Sequence, residues 1–98
     1  MVFKLTWSAE AKETYNILKN DPSQKKHYNA VKKTLKFLAT NPRHNSLQTH
    51  EFTSRKGPNG EKIFEAYAEQ NTPAAYRVFW FYGTGTGVIT VFYITQHP

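Results

Sequence analysis

Two β-rich runs, YRVFWFY from Tyr76 to Tyr82 and VITVFYIT from Val88 to Thr95, stand either side of GTGTG. Runs so rich in aromatic and β-branched residues, joined by a short glycine-rich link, predict an antiparallel hairpin. A third run, Lys62 to Glu69 (KIFEAYAE), alternates Phe64, Ala66 and Ala68 against Ile63, Glu65, Tyr67 and Glu69, and Asn71-Thr72-Pro73 then turns the chain. The expected product is a three-strand meander, which has to bury one face against another layer.

The covering layer precedes it. Ser8 is placed to cap a helix, with Glu10 near its positive end and Ala11, Tyr15 and Leu18 in a narrow apolar stripe. Asp21-Pro22-Ser23-Gln24 combines an N-cap, a proline at the first helical position and a capping-box glutamine. Tyr28, Val31, Leu35 and Leu38 then follow at steps of three and four, and Asn41-Pro42 ends that helix. Val2 to Thr6 alternates as a first strand. The expectation is an α+β fold of order βααβββ, an antiparallel sheet with a helical hairpin on one face. Ninety-eight residues suit one domain spanning 1–98, with seven Phe, six Tyr and two Trp supplying much of its core.

Absent residue types narrow the chemistry. Without cysteine there is no disulfide and no thiolate nucleophile or metal ligand. His27, His44, His50 and His97 show no paired spacing, so neither a metal nor a cofactor is expected, and GTGTG joins two strands instead of opening a helix as a phosphate cradle does. No run reaches the ~18 apolar residues of a membrane span and no secretory leader is evident, so a soluble cytoplasmic protein is expected.

The formal charge of +6 favours polyanionic partners. Much of it lies on the second helix, where Lys25, Lys32, Lys33 and Lys36 fall away from the apolar stripe, either as phosphate contacts or as a solvated helix face. Leu47 to Phe52 reads as a short strand-like piece and Ser54 to Gly60 as a basic turn, and Arg55, Lys56 and Lys62 are candidates for phosphate or base contact.

A hairpin symmetric about Gly85 sets Arg77 opposite Tyr93, and a turn about Thr72 sets Tyr67 opposite Arg77. Tyr67, Arg77, Tyr93 and His97 then share one face, along with Phe79, Phe81, Ile89 and Val91. The helix-facing side receives Phe64, Ala66, Val78, Trp80, Phe92 and Ile94. The apolar members of the charged face need a cover, from the first strand, from the Arg43 to Gly60 segment or from a partner.

An arginine among tyrosines and histidines suits metal-free RNA cleavage. That reaction needs a base for the 2′-hydroxyl, an acid for the leaving 5′-oxygen and a cation for the phosphorane. Arg77 suits the last, and His97 suits proton transfer because imidazole titrates at about 6.5. His50, Glu51, Glu65 and Tyr67 are candidate partners, and Tyr67 and Tyr93 offer stacking faces to a splayed base. The plainer alternatives are an Arg77 ion pair with Glu65 or Glu69, a frayed His97, and packing roles for His50 and the tyrosines.

The opening strand running into WSAEAKE, the helix closing with LATNP, the strand AYRVFWFY and the terminal VFYITQHP occur in an order that resembles the RelE/ParE superfamily of bacterial type II toxin–antitoxin toxins, over nearly the whole chain. The RelE branch of that resemblance implies a compact toxin that enters the ribosomal A site and cuts messenger RNA with residues on the concave sheet face and near the C-terminus. Arg77 matches the family's arginine in the penultimate strand, and His97 falls where several members keep a catalytic basic or aromatic residue. His50 is similar in place to an upstream histidine of the HigB-like branch. Glu65 and Tyr67 stand where RelE itself has lysines. The resemblance also implies an antitoxin as partner, besides the ribosome and messenger RNA. Its ParE branch offers a different function, a toxin without nuclease activity that poisons DNA gyrase. A basic RNA-binding domain without catalysis is a third reading, expected to bind with steep salt dependence.

Overall fold

The computed structural model describes residues 2–70 and 74–96. Strand β1 (Lys4–Trp7) leads into α1 (Ala9–Asn20) and α2 (Lys25–Thr40); β2 (His50–Lys56), β3 (Lys62–Tyr67), β4 (Tyr76–Tyr82) and β5 (Val88–Gln96) follow. Among the described residues these strands make one sheet in the order β1-β5-β4-β3-β2. The α+β architecture is the expected one, with two additions. β1 lies parallel to β5, so the sheet is mixed, and β2 extends it by a further edge strand.

Both helices start and stop where local chemistry dictates. Ser8 accepts from the Ala11 N–H at 3.0 Å, and its hydroxyl donates to the Phe92 carbonyl at 2.6 Å, which ties the start of α1 to β5. Replacing it removes a cap and leaves that carbonyl short of a donor. Ser8→Ala is expected to lower the unfolding free energy by about 1–2 kcal/mol in urea titration. Asp21 accepts from the Ser23 N–H at 3.0 Å, but Pro22–Gln24 forms a 3₁₀ turn and the α-helix proper begins at Lys25. Gln24 makes no side-chain capping bond, so the expected capping box is not formed. The Asn41 N–H closes α2 on the Phe37 carbonyl.

Ala11, Leu18, Val31, Leu35 and Leu38 of the helices meet Ala66, Val78, Trp80, Ile89, Val91 and Ile94 of the sheet in the core. Tyr67 pairs with Arg77 as expected, but Arg77 pairs with Thr95 and not with Tyr93. The β4–β5 ladder shifts between Phe79↔Tyr93 and Trp80↔Val91, leaving Phe92 as the extra residue of a bulge. An inserted residue reverses the facing of what lies beyond it. Ile89 and Val91, expected on the charged face, are fully buried against the helices, and Phe92, expected in the core, lies on the opposite face edge-on to Phe81. Arg77 and Tyr93 keep a common side because both precede the shift as the hairpin is read from its open end.

The stretch expected as a short strand and a basic turn is rearranged as well. Asn45–Leu47 is a 3₁₀ turn, and Arg55 and Lys56 stand on β2, not in a loop. The turn itself is Gly57 to Gly60, closed by Gly57 N–H to the Glu61 carbonyl at 2.9 Å, with Gly60 at φ +85°, where a side chain is strained.

Candidate functional site

Three adjacent strands carry the site on the face turned away from the helices. The ladder sets His50 on β2 opposite Glu65 on β3, and Tyr67 on β3 opposite Arg77 on β4. Glu65 stands between an imidazole and a guanidinium: its Oε1 is 2.9 Å from His50 Nε2 and its Oε2 is 3.7 Å from Arg77 Nε. The Arg77 guanidinium lies 3.9 Å over the Tyr67 ring, and His50 meets that ring edge-on at 5.6 Å. Arg77 Nη1 donates to the Glu69 carbonyl at 3.0 Å and more weakly to that of Tyr76 at 3.4 Å.

The members differ in access. The His50 side chain is 48% exposed, whereas those of Glu65 and Arg77 are 11% and 10% exposed. His50 Nδ1 also lies 3.0 Å from the Gln48 carbonyl, so both ring nitrogens face acceptors and the ring makes both bonds only when each carries a proton. Arg77 Nε is buried with no hydrogen-bond partner among the described residues. Its guanidinium is packed and pinned, and the pairing with Glu65 foreseen as the plainer alternative is present.

Beside this row runs a groove of about 390 Å³ lined by Phe52, Ser54, Arg55, Ile63, Phe79, Phe92, Tyr93 and Thr95. Phe52 meets Phe79 edge-on at 4.9 Å, and Arg55 lies 5.1 Å over Phe92. The cover expected for the apolar part of this face is thus β2, which walls one side and leaves the groove open with Tyr93 37% exposed. Lys56 and Lys62 are directly paired across β2 and β3, with Lys56 Nζ 3.8 Å from Glu51. Like charges so placed repel unless an anion or solvent screens them.

Other expected residues are not brought together. Lys25, Lys32, Lys33 and Lys36 are exposed on α2, in the layer beyond the sheet from Arg77, although Lys33 shares a small cleft with Tyr67. His97 lies outside the described residues. The described chain runs to Gln96, opposite Tyr76.

One pair was not foreseen. His27 of α2 places Nδ1 2.7 Å from Oε1 of Glu69, whose side chain is 6% exposed and which also accepts from the Tyr76 N–H at 3.1 Å. Burial first, and then the charge of Glu69, push the Tyr76 phenol above its ordinary value, so it stays protonated near neutrality. Among the described residues no group of three or more His, Asp or Glu side chains has metal-binding geometry, and no helix is long and apolar enough to cross a membrane.

No family model matches the chain and no curated protein matches it by sequence. Solved structures do match in shape. The YoeB/ParE toxin from Agrobacterium tumefaciens superposes with a TM-score of 0.71 at 11% identity, over 98% of this chain and 100% of that one. The archaeal RelE of the RelE–RelB complex from Pyrococcus horikoshii OT3 gives 0.64 at 16%, over 98% and 96%, and the YoeB dimer from Staphylococcus aureus 0.65 at 14%, over the whole of both chains. At these identities the likeness is one of fold: the chain has the RelE/ParE toxin fold.

Proposed function

From this fold and the row of His50, Glu65 and Arg77 beside an aromatic groove, we propose that the protein is the toxin of a type II toxin–antitoxin pair and cleaves translated messenger RNA by metal-free acid/base chemistry. Glu65 takes the 2′-hydroxyl proton, the 2′-oxygen attacks phosphorus, and the bond to the 5′-oxygen breaks as His97 returns a proton to it. The products are a 2′,3′-cyclic phosphate and a 5′-hydroxyl. Arg77 stabilises the charge gathering on the phosphate oxygens, and His50 donates to the carboxylate from its other side. Tyr67 and Tyr93 present faces for unstacked bases, and Arg55, Lys56 and Lys62 bind flanking phosphates. Lys25, Lys32, Lys33 and Lys36 form a separate basic surface suited to ribosomal RNA. The cognate antitoxin is a protein that neutralises this face, and the site of action is the cytoplasm.

The single observation that carries this reading is Glu65 held 2.9 Å from His50 and 3.7 Å from Arg77 on the sheet face turned away from the helices. The burial of Arg77 favours a second reading, a ParE-like toxin that binds DNA gyrase and uses the arginine for packing alone. Primer extension on messenger RNA after induction separates the two. New 5′ ends within translated frames are expected for the wild type and not for Glu65→Gln or His97→Ala. Growth arrest without such ends favours the gyrase reading. RNA binding that weakens steeply with salt, with neither cleavage nor arrest, favours a non-catalytic RNA binder.

A further inference from the structure

Glu69 is a buried carboxylate for which the cleavage chemistry has no use. Its Oε1 receives the Tyr76 N–H at 3.1 Å and His27 Nδ1 at 2.7 Å, while its main-chain oxygen receives Arg77 Nη1 at 3.0 Å. Glu69 therefore touches α2 through its side chain and the site through its backbone. A buried carboxylate is costly unless donors surround it, and His27 supplies one of the two seen here. The His27 ring is itself held against Tyr76, with centroids 5.0 Å apart. Arg77 follows Tyr76 directly, and with Nε unpartnered it depends on the Glu69 carbonyl for its shortest hydrogen bond.

We infer that His27 is a positioning residue: through Glu69 it fixes the carbonyl that aims the Arg77 guanidinium at the scissile phosphate. The inference rests on the reading of Arg77 as the phosphate cation. Without the His27 donor the Glu69 carboxylate keeps only the Tyr76 N–H, the backbone at Glu69 is held by the longer Ala68 and Glu69 N–H bonds to the Tyr76 carbonyl at 3.2 and 3.3 Å, and the anchor that keeps the guanidinium flat on Tyr67 is expected to loosen.

The test compares His27→Phe, which keeps a ring against Tyr76 but has no donor, with His27→Asn, whose side-chain amide nitrogen sits where Nδ1 does. Two measurements are made on the full chain: ribosome-dependent cleavage rate at saturating RNA, and the 15N–1H NMR signals of the Arg77 guanidinium. The expected result is a fall of about 10- to 100-fold in rate for His27→Phe, with displaced or broadened Arg77 signals. His27→Asn is expected to restore both. Thermal melting separates this from unfolding, and if His27→Phe does not fold, Glu69→Gln, which keeps the backbone carbonyl and weakens the tie to His27, is expected to displace the same signals. Arg77 signals unmoved in the folded variants overturn the inference. Wild-type cleavage by Arg77→Ala overturns the reading of the site instead, and the NMR comparison still decides whether His27 and Arg77 are linked.

Discussion

Arg77→Ala is expected to abolish growth arrest and to lower RNA cleavage by at least about 100-fold, the usual consequence of removing a fixed donor from a developing anion. The same substitution leaves the fold standing, because the ion pair it breaks is loose. Arg77 Nε and Glu65 Oε2 are 3.7 Å apart, beyond hydrogen-bond reach, and Glu65 retains His50 at 2.9 Å. What is lost structurally is the cover on Tyr67, the bond to the Glu69 carbonyl and the weaker one to that of Tyr76. Arg77→Lys sharpens the point. An ammonium keeps the charge but cannot lie flat on the phenol while donating sideways to a carbonyl, so most of the activity is expected to go with it. Induced growth curves and primer extension read the activity, and circular dichroism melts read the fold. Full activity in Arg77→Lys would show that the charge alone matters and that the planar packing on Tyr67 does not.

The parts of the architecture that were legible are those governed by neighbours in sequence. The steps from Tyr28 to Leu38 marked α2, the alternation of KIFEAYAE marked β3, and a turn about Thr72 gave the Tyr67–Arg77 pairing. The β5 bulge left no such trace. VITVFYIT is apolar or aromatic at almost every position, so either facing of Val91 and Phe92 satisfies the pattern, and only packing against α1 and β2 selects one. HEFTSRK lacks alternation because β2 is an exposed edge, and its strand character comes from pairing with β3. In the site, Arg77 and Tyr67 were legible as neighbours on one face and Glu65 by its shared parity with Tyr67, whereas His50 was legible only as a chemical type, its place set by the pairing of β2 with β3. The depth of Arg77 was not, since it depends on Glu69 and Tyr67 closing around it. The His27–Glu69 pair spans 42 positions. The signal for it was nonetheless present: His27 stands four residues before Val31, on the buried side of α2, where a histidine requires a partner.

Trp80→Ala is expected to destabilise the protein more than any change in the site. The indole is fully buried at the centre of β4, stacked on Phe64 with centroids 5.0 Å apart and meeting Tyr82 edge-on at 4.9 Å. Truncating a buried Trp costs about 3–5 kcal/mol through lost transfer energy and the cavity left behind. That is a large share of the ~5–15 kcal/mol that holds a domain of ordinary stability. With each kcal/mol worth roughly 4–8 °C in a domain of this size, the melting temperature is expected to fall by more than about 12 °C. Trp80→Phe should behave quite differently. The indole Nε1 is buried and has no hydrogen-bond partner among the described residues, so phenylalanine removes an unmet N–H along with the volume. The two effects oppose each other, and a loss of about 1–2 kcal/mol or less is expected. Because Trp80 and Arg77 sit on opposite faces of the same strand, the pair of variants also separates stability from chemistry. Trp80→Ala should lose growth arrest through unfolding and reduced abundance, whereas Trp80→Phe, with the site face untouched, should cleave RNA at the wild-type rate. A Trp80→Phe protein that melts like the wild type but cannot cleave would mean that β4 transmits core packing to Arg77.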